Sequence, residues 1–178
     1  MLSCVNRIAV VALLVAAGLT LSSSPVTAQT PQTVWSSSYG GPAGDSPVRL
    51  IAASENGYFL LANSEFPAPS YWNPNLYRLD SLGDTLWNRD LDIPSAWGRD
   101  IAATNDGGCV IVASIPDTSD ISSGDDILIA RYAANGDTLW TRRFGGSGSQ
   151  YATAVCVDDK GDIVVVGESI SLVSGDSR

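Results

Sequence analysis

The sequence predicts an all-β protein built from repeated four-stranded units. Three observations lead to this fold class. Tryptophans recur at a nearly constant interval, since Trp35, Trp87 and Trp140 lie 52 and 53 residues apart. Short apolar runs are separated by Asn-Gly and Asp-Gly pairs, which form tight turns between strands. The amphipathic periodicity of helical repeats is absent after residue 28.

The repeat is clearest in the ten residues that end at the second and third of these tryptophans. Segments 78–87 and 131–140 align without a gap and are identical at six positions: Arg, Gly, Asp, Thr, Leu and Trp. An aromatic residue and two glycines follow the first and third tryptophans, at 39–41 and 144–146, whereas the second unit has Leu-Asp-Ile at 91–93. The repeated positions are therefore turn and packing residues.

Each unit is expected to contribute four strands. The first two strands flank a hairpin turn at Asn56-Gly57, Asp106-Gly107 or Lys160-Gly161. The third follows a variable polar loop, and the fourth carries the Asp-Thr-Leu-Trp run after a glycine turn. Counted in this way, the chain has one tryptophan strand at its start, two full sets of four strands, and two strands more.

Four short strands in about 50 residues are typical of a β-propeller blade. We therefore expect a β-propeller-like array of four-stranded antiparallel blades, about two and a half of them, in units 35–86, 87–139 and an incomplete 140–178, after a leader at 29–34. A closed propeller takes ~4 to 8 blades. The expectation is an incomplete propeller: either the product of a truncated longer chain, or copies that self-associate through open strand edges.

The same residues carry a family resemblance. The run Trp-x-x-x-Phe-Gly-Gly at 140–146, followed by Asp-x-x-Gly before a Val/Ile-rich strand, resembles the β-propeller repeat of secreted bacterial surface proteins. The run at 79–87 is similar to the tryptophan-docking motif of quinoprotein-type propellers. The resemblance covers residues 35–178 and implies a bacterial origin and a propeller fold. It implies little about function, because the motif residues are structural.

The recurring residues are accordingly interpreted as structural. One tryptophan per unit at a fixed offset indicates packing between blades rather than a sugar-stacking platform. Glycines and aspartates recur together in the turn before the fourth strand, where an aspartate hydrogen bond would form the turn; they are Gly83, Asp84, Gly136 and Asp137. Arg78 and Arg131 also recur, which predicts a structural ion pair or stacking on a neighbouring tryptophan.

Residues 1–28 read as a cleavable signal peptide. Arg7 precedes 14 mostly apolar residues, 8–21, a run shorter than the roughly 20 that a spanning helix needs. Small residues at Val26-Thr27-Ala28 predict cleavage after Ala28. An uncleaved anchor is the rival reading, but no basic stop-transfer cluster follows. We expect a secreted, periplasmic or cell-surface protein with no membrane insertion after cleavage.

The charge balance restricts the partners. The chain has a net charge of −9, and loss of Arg7 with residues 1–28 moves this to −10. Such acidity disfavours nucleic acids and anionic lipids. Histidine is absent from the whole sequence, which removes His-dependent triads and His-ligated zinc. No nucleophile with a base, paired carboxylates or phosphate loop is recognisable, so no catalytic or cofactor-binding residue is assigned.

Ligand-contact candidates are the aromatic residues that do not recur. Tyr71 and Trp72 fall in the variable loop at 67–74, and Trp97 stands alone before the second unit's first apolar run. Because function collects on loops held by a rigid frame, these three are the candidates for contact with a carbohydrate or protein ligand.

Four carboxylates within ten residues invite a calcium interpretation: Asp117, Asp120, Asp125 and Asp126. Calcium binds several carboxylate and carbonyl oxygens. Their spacing matches no ordered Asp-x-Asp-x-Asp-Gly loop, however, and acidic loops are usually only solvated, so the favoured expectation is no metal and no cofactor.

Cys109 and Cys156 lie outside the signal peptide, in a compartment where disulfides can form. Each is expected to be a small buried apolar residue within a strand, and a bridge between neighbouring repeats is the alternative.

Two functional classes follow from the sequence. The favoured one is an exported, non-catalytic repeat protein that acts as a surface, adhesion, binding or scaffold module. The alternative is the N-terminal piece of a secreted propeller enzyme, a quinoprotein dehydrogenase or a polysaccharide lyase, whose active site lies beyond residue 178. Further blades with an anchoring domain would favour the first, and axial loops with His and Asp clusters the second.

Overall fold

The computed structural model describes residues 33–67, 70–117, 124–146 and 148–170. The predicted signal peptide lies outside them. In these ranges all regular structure is β, with ten strands and no helix. The all-β prediction is confirmed.

The first sheet is a four-stranded antiparallel meander in which each strand pairs with the next along the chain. Its strands are β1 (Asp45–Ala52), β2 (Tyr58–Pro67), β3 (Ser70–Leu79) and β4 (Thr85–Asp90). The β1–β2 turn has positive φ at both central residues, 53° at Asn56 and 77° at Gly57. Such a turn matches the twist of the strands it joins, which explains the Asn-Gly pair.

The second sheet repeats this order with β5 (Trp97–Ala103), β6 (Cys109–Pro116), β7 (Asp125–Tyr132) and β8 (Thr138–Phe144). The third is a hairpin of β9 (Ser149–Val157) and β10 (Ile163–Ile170). The tryptophan strands β4 and β8 thus close their sheets as fourth strands.

The prediction of a tryptophan strand at the start of the repeats is wrong. Residues 33–40, which include Trp35, form no strand. The physical reason is the lack of a pairing partner: β4 and β8 pair with β3 and β7. No third strand lies beside residues 33–40 in the part of the chain that the structure describes.

Each sheet has a bulge at the same place in its first strand. One residue is left without a cross-strand partner, namely Val48, Arg99 or Thr153. A bulge increases the local twist and redirects the side chains beside it. It makes Arg49, Asp100 and Ala154 equivalent positions in the three sheets.

The boundary between the first and second sheets is an apolar cluster. Strands β2 and β3 contribute Phe59, Leu61 and Leu76, with Trp87 and Leu91 partly buried beside them. The second sheet contributes Ile101, Cys109, Ile111, Ala130 and Tyr132. Removing these side chains from water is the main force that holds the two sheets together.

The boundary between the second and third sheets is built at the same positions. Val110 and Val112 take the places in β6 that Phe59 and Leu61 take in β2, and they pack against Ala152 and Val155 of β9. Ile129, Val157, Ile163 and Val165 complete this cluster. One face of each sheet therefore packs on the opposite face of the next.

Candidate functional site

Trp87 joins the first sheet to the second through a glycine turn. A Cβ atom on Gly136 would lie 3.0 Å from Cδ2 of Trp87, so the ring covers the turn directly. Trp87 Nε1 donates to the Ala134 carbonyl at 3.0 Å, and Arg89 Nε donates to the Gly136 carbonyl at 3.1 Å. The Arg89 guanidinium also lies 5.6 Å from the Trp87 ring centroid.

Trp35 covers the equivalent turn of the first sheet. A Cβ atom on Gly83 would lie 2.6 Å from Cε3 of Trp35. Here the Tyr39 hydroxyl, not an arginine, donates to the Gly83 carbonyl, at 2.5 Å. The aromatic ring and the carbonyl contact are thus retained although residues 33–40 form no strand.

An aspartate hydrogen bond is present in each of the two turns before the fourth strands, but the aspartate that provides it differs. In the first turn the carboxylate of Asp80 accepts from the N–H groups of Leu82 and Asp84, at 2.8 and 2.9 Å. Asp84 contributes its backbone. In the second turn Asn135 bonds both the N–H and the carboxylate of Asp137.

Arg78 and Arg131 are buried against the hairpin turns of their own sheets. Arg78 donates to the carbonyls of Glu55 and Asn56 at 3.0 and 2.6 Å and lies 5.0 Å from the Phe59 ring centroid. Arg131 pairs with Asp106 at 2.5 Å. The predicted ion pair is present at Arg131, and the aromatic partner of Arg78 is Phe59 rather than tryptophan.

Two of the three aromatic ligand candidates come together across a sheet boundary. The rings of Trp72 in β3 and Trp97 in β5 are 5.2 Å apart between centroids and tilted by 57°. The predicted loop at 67–74 is wrong here, because Tyr71 and Trp72 pair with Phe66 and Glu65 in the β2–β3 ladder. Both tryptophan side chains are half-buried. Tyr71 instead stacks on Phe66 at 5.0 Å. Because neighbouring residues of a strand face opposite sides of the sheet, Tyr71 is separated from the tryptophan pair.

Glu65 and Gly44 adjoin the tryptophan pair. Glu65 is the cross-strand partner of Trp72, and a Cβ atom on Gly44 would lie 3.0 Å from Glu65 Oε2 and 3.3 Å from Trp72 Cη2. Glu65 N–H donates to the Gly44 carbonyl at 2.7 Å. We define Gly44, Glu65, Trp72 and Trp97 as the aromatic site.

The buried side-chain amide of Asn63 fixes the backbone next to the aromatic site. Asn63 is fully buried, accepts from Gly98 N–H at 2.7 Å, and donates to the Gly98 carbonyl at 3.3 Å. Gly98 follows Trp97 directly, so this pair of bonds sets the position of Trp97 relative to β2. Sequence reasoning did not find Asn63 or Glu65. The signal for Asn63 was a polar residue at the end of an apolar strand.

A buried carboxylate joins all three sheets. Asp100 accepts from Arg49 at 2.7 Å through Oδ1 and from Val155 N–H at 2.9 Å through Oδ2. Asp100 is 3 % exposed. Sequence reasoning did not find it either, and a lone aspartate in an otherwise apolar strand was its only signal.

The acidic loop is neutralised where the structure describes it. Arg143 pairs with Asp117 at 3.0 Å and also with Asp126, while Asp125 begins β7. Asp120 lies outside the described residues. In the described ranges, no group of three or more His, Cys, Asp or Glu side chains is arranged to hold a metal ion. Arg143 is therefore the cationic partner of both Asp117 and Asp126.

The two cysteines differ in environment, and both are free thiols. Cys109 is buried in the cluster between the first two sheets, and burial raises the pKa of its thiol to about 12. Cys156 is exposed, so its predicted burial is wrong. Residues alternate between the faces of β9, and Cys156 lies on the opposite face from the buried Val155.

Among the described residues, no helix has the length and apolar character required to cross a membrane.

Comparison with known proteins gives a partial similarity. No protein-family model matches the chain. Regulatory protein FlaEY of Caulobacter vibrioides is 33 % identical to it over 112 residues, which is 56 % of this chain and 12 % of that protein. The chain thus corresponds to a small part of a much longer relative.

Proposed function

We propose that this chain is an exported, non-catalytic module that binds a carbohydrate at the aromatic site. One observation carries the proposal. The recurring aromatic residues Trp35 and Trp87 are used in packing on glycine turns, whereas the non-recurring Trp72 and Trp97 meet across a sheet boundary and are only partly buried. Both residues lie in strands, so their mutual contact and incomplete burial, rather than a loop position, support a ligand site.

The chemistry of the aromatic site suits a sugar. Two tilted indole rings offer apolar surface to the C–H face of a pyranose, and each indole N–H can donate a hydrogen bond. Glu65, the cross-strand partner of Trp72, places a carboxylate beside these rings. Glycine at position 44 allows Glu65 and Trp72 to approach the chain closely, because a Cβ atom there would crowd both side chains.

We propose a propeller-like arrangement for the sheets. Four-stranded antiparallel meanders, bulges at equivalent positions and the same pair of faces at both boundaries support it. In such an arrangement the aromatic site lies where two neighbouring blades meet. Ligand sites occur preferentially at boundaries of this kind.

The proposed location is the cell surface or the periplasm, from the signal peptide at 1–28. The relative is named a regulatory protein. Regulation through capture of an external ligand would use the same kind of surface. Expression of the full chain in a Gram-negative host, with N-terminal sequencing of the periplasmic product, is expected to give a first residue of Gln29. A product that retains Met1 would contradict export by cleavage.

Binding can be tested with the full chain labelled with 5-fluorotryptophan. We expect a hexasaccharide of β-1,4-linked glucose or of N-acetylglucosamine to shift the ¹⁹F resonances of Trp72 and Trp97. Trp72→Ala should abolish the shift at Trp97. Tyr71→Ala is the matched control, since it removes the neighbouring aromatic ring on the opposite face, and it should bind normally.

Two results would overturn the proposal. One is that neither sugar moves these resonances while an extended peptide does, which would make the ligand a protein segment. The other is equal loss of sugar binding in the Trp72 and Tyr71 variants, which would place the ligand elsewhere.

A further inference from the structure

The third recurring tryptophan lacks the environment of the other two. Trp140 is 38 % exposed, and Phe144, which takes the position of the partly buried Leu91, is 50 % exposed. The Arg142 guanidinium lies 5.7 Å from the Trp140 ring centroid, as Arg89 does from Trp87. Trp140 and Arg142 are therefore arranged as Trp87 and Arg89 are at the boundary between the first and second sheets.

The hydrogen-bond donors of Trp140 and Arg142 also lack the partners that Trp87 and Arg89 have among the described residues. Trp87 Nε1 and Arg89 Nε each reach a carbonyl of the turn at residues 133–137. Within the described ranges, the corresponding donors of Trp140 and Arg142 bond to no carbonyl. Trp140, Arg142 and Phe144 form what we call the β8 face.

The boundary between the first and second sheets shows which side chains and turn would cover the β8 face. At the first boundary, the second sheet supplies Ala130 and Tyr132 from its third strand and Gly136 from the following turn. At the second boundary, β9 and β10 supply counterparts of Ile101, Cys109 and Ile111 through Val155, Ile163 and Val165. The described residues contain no counterpart of the third strand or of its glycine turn.

Among the described residues, only one edge of β10 is paired. β10 pairs with β9, whereas its equivalent β6 pairs on both sides, with β5 and β7. An unpaired strand edge is a template for the addition of another strand.

We propose that the β8 face and the edge of β10 together bind the third-strand and fourth-strand hairpin of a further repeat unit. The third strand of that hairpin pairs with β10, as β7 pairs with β6. Its glycine turn receives the Trp140 ring and presents two backbone carbonyls to Trp140 Nε1 and Arg142. This inference rests on the proposed propeller-like stacking and is independent of the carbohydrate.

The occupant is specified by chemistry. Gly136 has a φ of 84° and no Cβ, so a turn with any other residue there would hold the indole away from its backbone. The turn must also offer the two carbonyls that match one indole N–H and one guanidinium. A sequence of the Asn-Gly-Asp-Thr type, as at 135–138, meets these requirements.

The test uses the full chain labelled with 5-fluorotryptophan and an unlabelled, backbone-cyclised peptide of residues 124–146. The peptide carries Trp140→Phe, so that it cannot dock on its own turn. We expect saturable movement of the Trp140 resonance, assigned with the Trp140→Phe protein, while Trp72 and Trp97 stay in place. Sugar binding is read on Trp72 and Trp97, so the two proposals fail separately.

The control places the perturbation on the peptide, where it cannot affect folding of the protein. The Gly136→Val peptide is expected to bind at least about tenfold more weakly, because its side chain occupies the space of the ring. Equal binding by this peptide would overturn the proposal. So would an unmoved Trp140 at millimolar peptide, or burial of Trp140 that depends on protein concentration alone, which would identify a second copy as the occupant.

Discussion

Gly136 has a backbone φ of 84° and lies against the ring of Trp87, so two separate demands act on one residue. A residue with a Cβ atom pays about 1–2 kcal/mol to adopt the left-handed conformation. A Cβ atom would also lie 3.0 Å from the indole, closer than normal van der Waals contact. The turn and the sheet boundary therefore depend on the same missing side chain.

We expect Gly136→Ala to lower the free energy of unfolding by about 2 kcal/mol, from backbone strain plus displacement of Trp87. Gly146→Ala is the matched control, since a Cβ atom there would meet nothing within 4 Å. Its effect should stay within about 0.5 kcal/mol. Urea denaturation followed by tryptophan fluorescence measures both. Equal losses in the two variants would show that the ring contact has no role.

Asp106 is stabilised in its charged form at the β5–β6 turn. The Thr104 hydroxyl, 2.6 Å away, and then the Arg131 guanidinium lower the pKa of Asp106 from 3.8 to about 2. A carboxyl whose pKa is lower in the folded state contributes stability that is full above the unfolded pKa. That contribution is lost as the pH falls toward the folded pKa.

We therefore expect the free energy of unfolding to fall between pH 4 and pH 2 in part through Asp106, and Asp106→Asn to flatten this fall. The effect should be modest, because the Asp106 side chain is 63 % exposed and screened by solvent. Asp159→Asn, in the exposed β9–β10 turn, is the control. Urea midpoints across this pH range decide the matter, and identical profiles for both variants would refute a special role for Asp106.

Among the secondary-structure elements, one carboxylate connects three strands that belong to different sheets. Asp100 in β5 accepts from Arg49 of β1 and from the backbone of Val155 in β9. The two partners are not equivalent. The Arg49 side chain is 54 % exposed, whereas Val155 is buried and its N–H would have no replacement acceptor if Asp100 were removed.

Asp100→Ala should lower the free energy of unfolding by about 1–3 kcal/mol, the cost of leaving a buried donor unsatisfied. Arg49→Ala leaves the buried Asp100 carboxylate without its cationic partner, so it should also cost a few kcal/mol, but it leaves the Val155 N–H bonded. Hydrogen exchange should show the Val155 amide losing protection in the first variant only. Equal loss of Val155 protection in Arg49→Ala would show that the amide bond depends on the ion pair.

Most strands could be predicted from sequence because local signals bound them, but β3 begins at Ser70, inside the loop expected at 67–74. Asn56-Gly57 occupies the positive φ values that its position implied, and the turns at Gly83 and Gly136 precede β4 and β8 as expected. The prediction of a strand at Trp35 was wrong, because a strand also needs a neighbouring strand to pair with. Local patterns carry no information on whether that partner is present.

The contacts between sheets could not be predicted in the same way. Asn63 and Gly98 are 35 residues apart, and Asp100 and Val155 are 55 apart. Alternation along a strand shows which residues share a face, but not which sheet covers that face. Trp72 and Trp97 were selected correctly as residues outside the repeat, whereas their contact depends on how two sheets pack.

For the molecule as a whole, both boundaries use one face of a sheet against the opposite face of the next. An interface of this heterologous kind continues from unit to unit and leaves different surfaces at the two ends. Each unit contacts its neighbours, so the stability of the array is expected to depend on these boundaries as much as on the sheets. Cys109, within the first boundary, is suited to measure this.

In a Cys4→Ser background, a thiol reagent should modify Cys156 rapidly and Cys109 only when the first boundary opens. Burial raises the pKa of the Cys109 thiol to about 12, so the folded protein holds almost no thiolate there at pH 8. With an opening free energy of about 5 kcal/mol, Cys109 in a Cys156→Ser variant should react at least about 1,000-fold more slowly than Cys156 in a Cys109→Ser variant.

Gly136→Ala should accelerate Cys109 labelling, because it loosens the turn on which Trp87 packs. Labelling of Cys109 within tenfold of Cys156 would mean that the two sheets separate freely, and the boundary would then contribute little to the stability of the array.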